Sequence, residues 1–295
     1  MNPVASAAAP GRMAADPIPA IAEAEATGET AALFADLRAT LGVPFVNLIW
    51  RHLATIPGGL AWTWTLVRPL YLSPDLLACA HELQAGIDLP CRPIPAFVYE
   101  SAGLGAVERA GIGDMVAGYN RGNGLNFLAL TLACQALRRE IELPGPAPAA
   151  SPTVPHDPSM AAAPPRLLGL DELAPPLHDL VLDFDQFGRI APSQAIASLY
   201  RHLAHWPAFL ALAHTALRPL HADGSLRVQQ EQLIVRSASL VSRRLQPLLQ
   251  GAPADLGRAE HADVLSSLEQ FTQLMIGRMV VLGTALHALL PPAQT

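Results

Sequence analysis

The same four residues occur twice, 150 positions apart: Arg51-His52-Leu53-Ala54 and Arg201-His202-Leu203-Ala204. An imidazole titrates near neutrality and can take a proton from water, so His202 is a candidate general base. A histidine present in both copies equally suits a helix-end hydrogen bond used twice for architecture. The adjacent guanidiniums of Arg51 and Arg201 have the planar fork that matches a carboxylate, and their recurrence likewise favours bridges between helices. Asp183 and Asp185, in LDFDQFG, offer carboxylate bases, against the plainer reading of solvated charges on a helix face. Asn123 lies between Gly122 and Gly124. It could hold a water or a ligand, but Asn between glycines is also what a turn visiting left-handed conformations contains. Cys79 and His81 have no CxxC partner and give no redox pair.

Composition narrows the chemistry. The 295 residues carry a net charge of −6 and contain no lysine, so every fixed cation is an arginine. A Schiff-base lysine and a phosphate-loop lysine are excluded. No basic cluster offers to neutralise phosphates, so no nucleic-acid partner is expected. Cys79, Cys91 and Cys134 show no metal-ligand spacing and read as free thiols of a cytoplasmic protein. No metal and no organic cofactor is expected. The first residues lack a continuous apolar stretch of the kind a secretory signal has. The apolar run at 274–290 is interrupted by Arg278 and His287 and is too short and polar for a membrane span. Charged residues make up 15% of the chain and 51% is apolar. So sparse a charged surface suggests helices covered by other helices, or self-association as a homodimer.

The elements that must position these groups are helices. Residues 144–165 hold eight prolines in 22 positions and separate two parts of similar length. We divide the chain into a disordered tail at 1–16, a first helical repeat at 17–143, this linker, and a second repeat at 166–295. Residues 51–70 align without gaps to 201–220 with eleven of twenty positions identical, which reads as duplication. Leu33, Phe34, Leu37 and Leu41 share one helical face that Gly42 and Pro44 end. Helices are expected at 46–55 and 58–68, each stopping before a proline, then at 75–86, 105–117 and 125–140. The second part repeats the plan near 171–187, 195–205, 208–218, 226–248 and 259–290. No stretch alternates with period two. The expected fold is all-α, two tandem diverged repeats packed as a pseudo-dimer with a cleft between them.

Three segments carry a family resemblance: TGETAALFADLRATLGVPFVNLIWRHLATIPGGL (27–60), GYNRGNGLNFLALTLA (118–133) and LYRHLAHWPAFL (199–210). Together with the length and the two-repeat plan, they resemble the group I 2-haloacid dehalogenases, which hydrolyse both enantiomers of 2-haloalkanoic acids. The resemblance implies a cofactor-free reaction in which a carboxylate activates water, and the water displaces halide from C2 with inversion. It places an aromatic pocket residue at Phe45, an apolar neighbour at Leu48, and a water-holding asparagine at Asn123. A tyrosine of the family falls near Phe271, which keeps the ring without the hydroxyl. The family's aspartate lies eight residues before the proline of Trp206-Pro207 and follows a serine. Here Ser198 is present, but Leu199 stands at the aspartate's position. Leucine accepts no proton, and losing a general base costs about 10²–10⁴-fold or more. The expected ligand is a small 2-halo or related carboxylic acid, bound by Phe45, Leu48, Ser198, Leu199 and Phe271. Catalysis, if kept, would fall to Asn123 with His202, Asp183 or Asp185 as substitute base. The alternative is a non-catalytic binding or structural protein of the same descent.

Overall fold

A computed structural model describes residues 18–145, 165–192, 195–251 and 253–292. The proposed tail at 1–16 and nearly all of the proline-rich linker lie outside these. The described residues are helical, with no strand among them. In chain order the helices are α1 (Gly28–Leu41), α2 (Leu48–Leu53), α3 (Gly59–Tyr71), α4 (Pro74–Ala85), α5 (Ala96–Ser101) and α6 (Ala106–Leu137). They continue with α7 (Pro175–Phe184), α8 (Ser198–Leu203), α9 (Pro207–Ala222), α10 (Ser225–Leu240), α11 (Arg258–Glu269) and α12 (Gly277–Leu289). A π-helical turn, Gln270–Ile276, joins α11 to α12 without a break.

Local chemistry sets several of these ends. Gly42 closes α1 in the left-handed conformation, φ 64°, with its N–H on the Arg38 carbonyl. Ser73 caps α4 by accepting from the Asp75 N–H, and Pro74 fills the first helical position. The order of a six-residue helix followed by a longer one containing a proline occurs twice, as α2–α3 and α8–α9.

Three expectations need correction. Helices α3 and α9 do not stop before Pro69 and Pro219; they run through them to Tyr71 and Ala222. A proline in the last turn removes one hydrogen bond, and each is followed by a leucine, Leu70 or Leu220, that is buried. The two helices expected at 105–117 and 125–140 are one 32-residue helix, α6, so Asn123 lies inside a helix and not in a turn. Gly122 and Gly124 serve close packing: a Cβ on Gly122 would sit 3.5 Å from the Asn47 amide, and one on Gly124 would sit 3.2 Å from the Gln84 amide. Finally, the run from Arg258 to Leu289 is long and apolar enough to cross a membrane by length and composition. In its most apolar window, however, 72% is buried inside the protein.

The core forms around α6, which packs against α12, α4, α3 and α11. Its residues from Ile112 onward are mostly buried, so this helix of about 48 Å is the axis on which other helices rest. Short α8 also lies against it. That contact brings the 198–203 segment beside Tyr119 and Asn123.

Candidate functional site

The start of each six-residue helix carries side chains into a common space. Segment 45–51 leads into α2 and segment 197–202 forms α8; α6 and the π turn close the remaining sides. The cavity has a volume of about 400 Å³, within the range of small-molecule pockets. Phe45, Leu48, Asn123, Ser198, Leu199, His202 and Phe271 all line it. The sequence reading therefore picked residues from four separate elements that the fold brings together. Phe271, Met275 and Ile276 reach the cavity from within the π turn, a local widening of helices that recurs at functional sites.

The polar side of the cavity is a single directional chain of hydrogen bonds. One ring nitrogen of His202 serves the Pro165 carbonyl, which only accepts, so that nitrogen carries the proton. The other, Nδ1, therefore accepts, and the Tyr119 hydroxyl donates to it at 2.7 Å. Tyr119 in turn is bonded by the Ser198 hydroxyl. The chain runs from Ser198 to Tyr119 to His202 to a backbone carbonyl, and each proton in it already has an acceptor. Burial pushes the His202 pKa down to about 4, helped by His205, Arg201 and Arg51, against the opposing pull of the Pro165 carbonyl. Burial also raises the Tyr119 hydroxyl far above its usual range, with Arg51, Arg201 and Ser198 pulling weakly the other way. The imidazole is thus neutral at pH 7, and its one lone pair belongs to Tyr119. Both shifts oppose passing the tyrosine proton to the histidine.

The carboxylates that the sequence offered as bases stand outside the cavity. Leu199 is 1% exposed and forms cavity wall where the family resemblance implied an aspartate. Asp183 and Asp185, the displaced-base candidates, do not line the cavity. Asp183 accepts from His214 Nε2 at 2.7 Å, much as Asp36 accepts from Trp64 Nε1 at 2.7 Å at the position 150 residues earlier than His214. Asp185 is buried between Arg278, Arg189 and the Ala197 N–H. It is a clamp on the segment that leads into α8. Glu23 is the acid that lines the cavity, and sequence reasoning missed it. Its Oε1 accepts the Val46 N–H at 2.7 Å and its Oε2 is ion-paired with Arg38.

Three further lining groups were not anticipated: Tyr119, Asn47 and Asn126. Asn126 is completely buried, and its Oδ1 accepts from both Trp50 and Tyr71. A faint signal existed for it, an asparagine one helical turn after Asn123 amid leucines and phenylalanine. Arg51 also lines the cavity, with its Nε on the Val46 carbonyl at 3.2 Å. His52 does not line it. Its Nδ1 donates to the Pro19 carbonyl at 2.7 Å, and its ring stacks on Phe271 with centroids 5.6 Å apart. Among the described residues no group of three or more His, Cys, Asp or Glu side chains is placed to hold a metal ion.

No protein-family model matches the chain. A configuration-inverting 2-haloacid dehalogenase of Alcaligenes xylosoxydans xylosoxydans is 24% identical over 262 residues, covering 85% of this chain and 82% of that protein. Among solved structures, a D-2-haloacid dehalogenase mutant in complex with D-2-CPA superposes with a TM-score of 0.75 at 20% identity, covering 95% of this chain and 99% of that one. A D-2-haloacid dehalogenase with L-LA gives a TM-score of 0.74 at 19% identity, covering 95% and 98%. The all-α fold is therefore that of the D-2-haloacid dehalogenases. These relatives are described as configuration-inverting or D-2- enzymes; the both-enantiomer subtype to which the sequence resemblance pointed finds no support in them.

Proposed function

We propose that this protein is a dehalogenase-like member of the hydrolase lineage whose cavity binds a short, partly apolar carboxylic acid without hydrolysing a carbon–halogen bond. The observation that carries this is Leu199. Water attack at C2 needs a proton acceptor within hydrogen-bond reach of the water, about 2.6–3.2 Å. At Leu199 an isobutyl group stands instead, His202 Nδ1 is bonded to the Tyr119 hydroxyl, and the two oxygens of Glu23 are taken up by Arg38 and the Val46 N–H. Asn123, retained in the cavity wall, can orient a water but cannot deprotonate it. The binding half of the reaction keeps its parts. Arg51 and the asparagines offer donors to a carboxylate, while Phe45, Leu48 and Phe271 offer an apolar seat.

Halide release from the two enantiomers of 2-chloropropionate, followed separately, tests this reading. No release above the uncatalysed rate is expected, together with a rise in melting temperature on adding the acid, since a ligand that binds only the folded state stabilises it. Turnover of either enantiomer by the unaltered protein would refute the proposal.

A further inference from the structure

The cavity has a mouth, and burial locates it. Its exposed lining residues are Pro44 and Arg166, flanked by half-buried Phe45, Pro165 and Leu167, whereas those from α6, the π turn and α12 are buried. Residues 165–167 therefore form one lip of the opening, just after the proline-rich linker.

This lip is held in place by side chains. Among the described residues, none of 165–168 makes a backbone–backbone hydrogen bond. Three of their carbonyls accept instead from one short stretch at α8 and its end. Pro165 is held by His202, Arg166 by His205 Nε2 at 2.8 Å, and Leu168 by Arg201 Nε at 2.6 Å. The Arg166 guanidinium reaches Glu172 at 2.5 and 2.8 Å, which ties the lip to the turn that follows it in the chain. The segment that passes His52 is fastened more firmly. Beside the Pro19–His52 bond, the Ile21 N–H donates to the Arg51 carbonyl at 3.0 Å, and Glu23 accepts from the Val46 N–H. Residues 165–168 can thus leave α8 by breaking three side-chain bonds and no helix. Each such bond weighs about fivefold in the balance between closed and open.

We infer that residues 165–168 are a strap that closes the mouth over a bound acid and lifts as a unit to exchange it, with His205 as its outer latch. His205 does not line the cavity, so it acts on the strap and not on the ligand. An occupant that touches Pro165 and Leu167 binds the closed form better and holds the strap down. The identity of that occupant rests on the carboxylic-acid-binding reading above; control of access to the site is what the strap adds.

Trypsin reads the strap directly. The chain has no lysine, and residues 144–165 contain no arginine, so cleavage in this region falls at Arg166–Leu167. The bond is cut only when the backbone is pulled clear of α8, and the rate follows the open fraction. The full-length protein is digested with and without 2-chloropropionate, and mass spectrometry follows cleavage at Arg166 beside that at Arg227 on α10. His205→Ala is expected to speed cleavage at Arg166 about fivefold and to leave Arg227 unchanged. His205→Gln, which keeps an N–H donor, is expected to restore the wild-type rate. At about ten times its dissociation constant the acid should slow cleavage of the wild type at Arg166 about tenfold. Equal rates at Arg166 in the wild type and His205→Ala overturn the latch. An acceleration shared by Arg227 shows that His205 supports the whole fold, and overturns it too. An acid that raises the melting temperature without slowing cleavage at Arg166 overturns closure over the ligand. An acid that does neither overturns the carboxylic-acid reading, while the comparison without acid still decides the strap.

Discussion

Replacing His202 with glutamine removes a titrating group that the fold keeps neutral, and its consequence is a specific dependence of stability on pH. An imidazole has a pKa of 6.5 in the unfolded chain and about 4 here, because it is buried beneath the Tyr119 bond with His205, Arg201 and Arg51 nearby. Above pH 7 it is neutral folded or unfolded and adds no pH dependence. As the pH falls from about 6.5 toward 4, the unfolded chain binds a proton that the folded protein refuses, so stability is lost; below about 4 the loss levels off. The drop from 6.5 to about 4, at about 1.4 kcal/mol per tenfold change in proton affinity, amounts to about 3 kcal/mol. Urea unfolding of wild type and His202→Gln at pH 7.5 and 4.5 isolates this, since every other titrating group is common to both. At pH 7.5 the variant should be the less stable, having lost the Tyr119 and Pro165 bonds. At pH 4.5 that disadvantage should shrink by about 2–3 kcal/mol. A gap between the two proteins that stays constant across these pH values would show that the folded imidazole protonates as readily as a free one, and would refute the account of a base silenced by burial.

Other substitutions separate structural from chemical roles. Leu199→Asp places a carboxylate in the cavity wall that Asn123 shares, and should bring halide release from 2-chloropropionate about 10²-fold or more above the wild-type level; an ion-selective electrode reads it directly, and continued inactivity in a folded variant would count against the missing-base account. Asp185→Ala leaves Arg278 buried at 2% exposure without its partner and should cost about 3–5 kcal/mol in urea unfolding. Asp183→Ala removes a carboxylate that is 60% exposed, and should change stability by less than about 1 kcal/mol and leave the rise in melting temperature on adding 2-chloropropionate untouched. A large binding defect in Asp183→Ala would return that residue to the site.

How far the sequence could be read depended on the kind of signal. The helical stripe of Leu33, Phe34, Leu37 and Leu41 and the stop before Pro57 announced the elements, because apolar periodicity and proline both act locally, whereas Pro69 is carried inside the last turn of α3. Glycine misled. Gly122-Asn123-Gly124 has the composition of a turn, but the two glycines lie in mid-helix, where they let Asn47 and the Gln84 side chain approach α6. Whether a glycine frees the backbone or clears space for a neighbour depends on what packs against it, which no local window contains. Asn126 was missed for the same reason: its importance comes from Trp50 and Tyr71, 76 and 55 positions away. Asp183 and Asp185 were read first as solvated charges on a helix face; Asp183 is 60% exposed, but Asp185 is buried on Arg189 and Arg278, partners that no local window contains.

The two histidines with which the sequence reading began differ in their surroundings. His52 and His202 each bind the carbonyl of a proline that precedes them by some thirty-odd residues, Pro19 and Pro165. That shared bond fixes the ring at the start of the chain segment passing over it, and is architecture in both places. The difference lies in what faces the other side of the imidazole. His202 meets the Tyr119 hydroxyl from α6, whereas His52 stacks on Phe271 from the π turn and reaches Ser267 through Nε2 at 3.0 Å. One side of the cavity thereby gains a hydroxyl, and the asparagines of α6 extend that polarity; the other keeps a bare ring and continues into methionines. A ligand with a charged head and an apolar body can lie in such a space in one direction only. Asymmetry of the walls is thus sufficient to orient such a ligand.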